Sequence, residues 1–133
     1  MKDLVLDHVL IIGIEEIDDD HNKLVNLFNI LNHSITEGAA TDYVEAVLEE
    51  LINCTVWHFS HEERLMLKYG YDRFEDHKAE HKDLFESARE LQQKFIQTGK
   101  LDEREDLEFL ERWLTEHILV ADLRLGSYLI EVM

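Results

Sequence analysis

Proline is absent from the 133 residues, cysteine occurs once and glycine five times. Without proline, nothing in the chain forbids long uninterrupted helices. A lone Cys54 rules out an internal disulfide and any thiolate metal cluster. It sits among apolar neighbours in a helical stretch and is expected as a small core residue rather than a reactive thiol. No apolar run approaches the roughly 20 residues of a membrane span. The N-terminus lacks a basic region followed by an apolar stretch and a small-residue cleavage site, so a cytoplasmic address is expected. Basic residues are scarce, 13 against 30 acidic ones, for a formal net charge of −17. That excludes a general binder of nucleic acid or of an anionic membrane, since both need a basic patch to displace counterions. Acidity names no protein partner.

Hydrophobic residues make up 45 % of the chain, enough for one well-filled core in a single domain over 1–133. Four amphipathic stretches follow an arm at 1–17. The first covers about 18–37, carries Leu24, Leu27, Phe28, Leu31 and Ile35 on one face, and stops at Gly38. The second covers 42–69, opens on the capping-box-like Asp42-Tyr43-Val44-Glu45, and runs through Val47, Leu48, Leu51, Thr55 and Phe59 to Gly70. The third, 72–98, opens on Asp72-Arg73-Phe74-Glu75 and presents Leu84, Ala88, Leu91 and Phe95 before Gly99. The fourth, 102–125, opens on Asp102-Glu103-Arg104-Glu105 and presents Leu107, Leu110, Leu114, Ile118, Ala121 and Leu125 before Gly126. Short connections make neighbouring helices antiparallel. The expected fold is all-α, an up-down-up-down four-helix bundle with an N-terminal arm.

Polar residues interrupt these apolar stripes. An α-helix turns about 100° per residue, so each stripe has a definable centre. With Leu51 as zero, His58 falls about 20° to one side and Glu62 about 20° to the other. His77 and His81 are in phase with Phe74, Leu84, Ala88 and Phe95. His21 lies one turn before Leu24, and His117 flanks the Leu107–Leu110–Leu114 stripe. Levels match too: His21 is early in the first helix, His58/Glu62 late in the second, His77/His81 early in the third, and His117/Asp122 late in the fourth. In an antiparallel bundle all seven converge on one end of the core. The pair His33/Glu37 has the same spacing as His58/Glu62 but faces water. His61, about 80° off its stripe, and His8 in the arm are expected in exposed or structural roles.

Buried polar groups without partners each cost several kcal/mol, so five imidazoles and two carboxylates at one level need a shared partner. A metal is the simplest. Seven ligands are too many for one structural zinc, and five nitrogens argue against calcium or magnesium. Imidazole with carboxylate suits iron, and two potentially bridging carboxylates suit two irons. Ferritin-like diiron enzymes use the same architecture with a carboxylate-rich set. Here the set is His-rich, which steers away from high-valent oxidants.

The sequence resembles the bacterial haemerythrins over nearly its whole length. The matching text is Gly13-Ile14-Glu15-Glu16-Ile17-Asp18-Asp19-Asp20-His21, His58-Phe59-Ser60-His61-Glu62-Glu63, Tyr69-Gly70-Tyr71, His77-Lys78-Ala79-Glu80-His81 and His117-Ile118-Leu119-Val120-Ala121-Asp122. The resemblance implies two iron ions, one held by His77, His81 and His117 and the other by His21 and His58. Glu62 and Asp122 would bridge them together with an oxo or hydroxo group. Dioxygen would bind reversibly at the open position of the two-histidine iron, in a pocket walled by Leu24, Phe59, Trp113, Leu114 and Ile118. Many bacterial relatives begin the arm with a tryptophan; this arm has none.

The expected function is therefore storage or delivery of dioxygen and not an enzymatic reaction. One alternative is an oxygen or redox sensor acting through a signalling partner. Another is a diiron peroxidase or ferroxidase, which the His-rich shell disfavours. A last expectation concerns the fourth helix. Residues five apart on a regular helix differ by about 140°, yet His117 and Asp122 must reach one cluster. A π-type widened turn, with an i→i+5 backbone hydrogen bond between Trp113 and Leu123, is expected over a regular helix whose ligands reach in from opposite flanks.

Overall fold

The computed structural model describes residues 12–133; His8 and the arm up to residue 11 lie outside them. The described chain forms four helices. Helix α1 is Glu15–Thr36, α2 Thr41–Lys68 and α3 Phe74–Thr98. Helix α4 spans 103–132 on one continuous path in four segments, wide at Glu103–Leu107, regular at Glu108–Glu116, wide again at His117–Asp122 and regular at Leu123–Val132. Helix α1 packs against α2 and α4, and α2 against α3. Among the described residues no helix is long and apolar enough to cross a membrane.

The expected stripes line the interior. Leu24, Phe28 and Leu31 of α1, Leu48 and Ile52 of α2, Phe95 of α3, and Leu107, Ile118 and Leu125 of α4 are fully buried, each adding about 1.5–3 kcal/mol of transfer free energy. Leu27, Ile35 and Leu84 are only partly covered.

Helix boundaries differ from the sequence expectation in three places, each with a local cause. Helix α1 begins at Glu15 rather than Asp18. Asp18 lies one turn inside it and reaches back, accepting the backbone N–H groups of Ile12 at 2.9 Å and Gly13 at 3.2 Å. Helices α2 and α3 begin behind Ala40 and Arg73 with no side-chain cap, so Asp42 and Asp72 are not the caps expected of them. Asp102 is one, since its Oδ1 accepts the N–H groups of Arg104 and Glu105, each at 2.8 Å.

The third difference is at glycine. Gly99 ends α3 in the left-handed conformation, φ 71°, with its N–H on the carbonyl of Phe95 at 2.7 Å. Gly126, expected as a stop, is instead inside α4, which continues to Val132. A Cβ at Gly126 would lie 3.0 Å from both the Cβ and the carbonyl oxygen of Ile12. The missing side chain admits the segment entering α1 rather than ending a helix. The extra length carries Tyr128, whose hydroxyl donates to the carbonyl of Tyr69 at 2.5 Å and ties the end of α4 to the α2–α3 connection.

Candidate metal centre

Helical phase brings all seven expected residues to one end of the bundle core. His21, His58, Glu62, His77, His81, His117 and Asp122 are each no more than 5 % exposed. Their Nε2 atoms converge on two carboxylates, and the contacts divide the imidazoles into two groups. Asp122 Oδ2 lies 2.8 Å from Nε2 of His21 and 3.4 Å from that of His58. Its Oδ1 faces the other way, 3.1 Å from His77 and 3.0 Å from His117. Glu62 Oε1 lies 3.0 Å from His81, 3.4 Å from His77 and 3.5 Å from His58. The same division appears in the clustering of ligand atoms within 4.8 Å of one another: Glu62, His77, His81, His117 and Asp122 form one group, and His21, His58, Glu62 and Asp122 the other. The two carboxylates belong to both.

The wide turn of α4 makes this possible. The N–H of Leu123 reaches the carbonyl of Ile118, an i→i+5 bond that slows the angular advance and keeps His117 and Asp122 on one face. Trp113 and Leu123, ten positions apart, share no such bond; the widening lies within His117–Asp122. Straddling from opposite flanks is not needed.

A second ring of carboxylates takes the outer nitrogens. His117 Nδ1 donates to Glu80 at 2.8 Å, His81 Nδ1 to Glu63 at 3.1 Å and His58 Nδ1 to Asp20 at 3.4 Å. With the Nδ1 proton so engaged, a neutral ring turns its Nε2 lone pair inward. Sequence reasoning assigned no role to these three acids. A signal was present, since Asp20, Glu63 and Glu80 are each one position from a cluster residue, but helical phase alone does not show which outward acid a ring nitrogen will meet. Tyr71, buried, sets its ring edge-on to His77 with centroids 6.4 Å apart.

His61 is not at the centre, as expected, but it is not simply exposed. Its Nδ1 lies 2.6 Å from Asp20 and its Nε2 3.2 Å from Glu16. The decoy His33 faces solvent with Glu37 4.0 Å away. Cys54 is half-buried at the edge of the core rather than inside it, and burial holds its thiol above the ordinary range, away from reactivity.

Electrostatics show what the cavity demands. Burial works to lower the basicity of His58, yet the charges and hydrogen bonds of Glu62, Asp122 and Asp20 prevail and push it up to about 10. His77 is pushed up to about 9, against its burial, by the carboxylates of Asp122 and Glu62 that face its Nε2. His117 is raised in the same way, chiefly by the charge of Asp122. Burial and mutual repulsion work to raise Glu62, but the surrounding histidines bring it down; Asp122 is lowered likewise against its burial. Two wholly buried carboxylates thus call for positive charge between them, and in the metal-free protein protonated histidines supply it.

Several atoms point at a common space rather than at each other. Nε2 of His21 and Nε2 of His58 are 3.1 Å apart. His117 Nε2 and Asp122 Oδ1 touch without hydrogen-bond alignment, and the second oxygen of Glu62 has no hydrogen-bond partner among the described residues. Buried ligand atoms in this arrangement fit metal ions. The donor set of five imidazoles and two shared carboxylates fits two of them.

The model of the hemerythrin HHE cation binding domain matches residues 12–129. The chain belongs to the haemerythrin family. A bacteriohemerythrin of Pseudomonas paraeruginosa is 35 % identical over 119 residues, covering 89 % of this chain and 76 % of the relative. That of Methylococcus capsulatus is 34 % identical over 113 residues, covering 84 % and 85 %. A wild-type hemerythrin crystal structure superposes with a TM-score of 0.84 at 29 % identity, covering 93 % of this chain and 95 % of the other. Haemerythrins are non-haem diiron proteins, and the buried cluster here is able to bind metal.

Proposed function

We propose that this haemerythrin binds dioxygen reversibly, for storage or delivery, at a diiron centre in which His77, His81 and His117 hold one iron and His21 and His58 the other. Glu62 and Asp122, which belong to both groups of ligand atoms, would be shared between the two irons. The observation that supports this reading is the division about Asp122, whose Oδ2 faces His21 and His58 while its Oδ1 faces His77 and His117. Two imidazoles on one side against three on the other leave the first group one protein donor short, and a small ligand would complete it there.

When bound, the ferrous pair supplies the electrons that let dioxygen be held and given back. The protein's own residues set the conditions. Glu80, Glu63 and Asp20 fix three of the imidazole rings. Leu24, Phe59, Trp113, Leu114 and Ile118 are buried, each within about one helical turn of a cluster residue in sequence, and would keep water from the centre. Phe59 lies flat on His81, with ring centroids 3.9 Å apart, and meets His117 edge-on at 5.5 Å. Four of these five side chains are pure hydrocarbon. The fifth brings one buried N–H, the indole of Trp113, which has no hydrogen-bond partner among the described residues. An indole is a very weak acid, so the wall offers no ready proton with which to discharge reduced oxygen as peroxide. This supports a carrier over a peroxidase.

The test is to load the protein with iron, reduce it without air, add dioxygen and then remove it. Return of the diferrous spectrum over repeated cycles is expected. Irreversible bleaching in one cycle, or steady consumption of a reducing substrate with peroxide, would favour an enzyme.

A further inference from the structure

His58 is the only cluster histidine whose outer partner is itself held by a further side chain among the described contacts. Asp20 Oδ2 accepts from His58 Nδ1 at 3.4 Å and from His61 Nδ1 at 2.6 Å, and the other edge of His61 meets Glu16 Oε2 at 3.2 Å. The three contacts each cross the α1–α2 interface: Glu16 and Asp20 are one turn apart on α1, His58 and His61 nearly one turn apart on α2. Asp20 and His61 are about nine-tenths covered, and Glu16 reaches solvent. On the other side of the centre, His81 and His117 meet Glu63 and Glu80 directly.

We propose that Asp20 and His61 are positioning residues for the two-histidine iron, with His61 clamping Asp20 so that Asp20 can hold the His58 ring in its ligating orientation. The proposal rests on the diiron reading above. Three features of the geometry support it. Asp20 makes its shorter contact to His61 and its longer one to His58, so His61 is the firmer anchor for the carboxylate. His21, the remaining ligand of this half, has an Nδ1 with no hydrogen-bond partner among the described residues, so His58 carries the orientation for both. Asp20 is also adjacent in sequence to His21, so its placement constrains the α1 backbone at that ligand. Outer-sphere partners of this type typically govern metal retention by 10–100-fold.

The experiment compares the iron-loaded parent with Asp20→Ala, His61→Ala and the conservative His61→Gln, with Glu37→Ala as a control. Iron per chain is measured after desalting, release of each iron to a ferrous chelator is timed, and far-UV circular dichroism reports helix content. Asp20→Ala and His61→Ala are expected to release the first iron about tenfold faster and leave the second near the parent's rate, with helix content unchanged. His61→Gln, which restores a donor amide, is expected to recover most of the retention. Release from both alanine variants at the parent's rate, or equal acceleration of both irons, overturns the proposal. A parent that never holds two irons overturns the diiron reading instead.

Discussion

Asp122 Oδ2 lies 2.8 Å from Nε2 of His21, a contact between residues 101 positions apart. It closes the bundle: α1 and α4 meet at the centre through a carboxylate whose other oxygen serves His77 and His117. Removing that carboxylate should therefore strike both halves of the site.

Asp122→Ala is expected to retain less than one iron per chain, and Glu62→Ala to lose at least one. Both should also destabilise the metal-free fold by about 3–5 kcal/mol, since each leaves buried cationic histidines without their counter-charge. Glu37→Ala, on the exposed decoy pair, should change neither quantity. Metal analysis and urea denaturation read both effects, and equal behaviour of the three variants would show that helical phase had been misused.

Acidity should act in opposite directions on the two forms. In the metal-free protein His58 and His77 are raised to about 10 and about 9, above an unfolded value near 6.5. The stability they contribute is complete below about pH 6.5 and is lost as pH rises through those values. The urea midpoint of the metal-free protein should thus fall between about pH 7 and pH 10. Iron uptake displaces the same protons, so affinity should rise across that window. In the loaded protein, protons compete for five imidazoles, and iron held intact well below about pH 4 would contradict the ligand set.

Gly126→Ala should cost about 1–3 kcal/mol, because the new Cβ meets the Ile12 backbone at 3.0 Å. The iron content should not change, since the atoms nearest the new Cβ all belong to Ile12 and not to the cluster. A thermal midpoint equal to the parent's would mean that Ile12 moves aside freely.

The bundle and its seven converging side chains were legible because each sits near the centre of an apolar stripe, where phase is decisive. His61 shows where that reasoning stops. Its offset from the α2 stripe reads as outward, but outward on α2 at that angle means toward α1, where Glu16 and Asp20 wait. Phase measured against the bundle axis distinguishes inside from outside and is blind to flanks. Gly126 shows a second limit. A glycine after a helical stretch signals a stop or a close approach of another segment, and only the position of Ile12 distinguishes them. The wide turn at His117–Asp122 was legible for the opposite reason, since two side chains five positions apart that reach one cluster demand it.

That turn has a consequence for chain length. Helix α2 delivers a histidine and a carboxylate to the centre four positions apart, while α4 uses five positions for the same task by widening. A widened turn absorbs one surplus residue without rotating the rest of the helix, so Leu125 and Leu129 stay buried beyond it. That turn thus carries one residue more than its path requires. Val120, exposed within the turn, is the one to omit. Its deletion should convert the stretch to ordinary i→i+4 bonding, leave His117 and the aspartate about 40° apart as on α2, and yield a 132-residue chain, 133 − 1, that still takes up two irons.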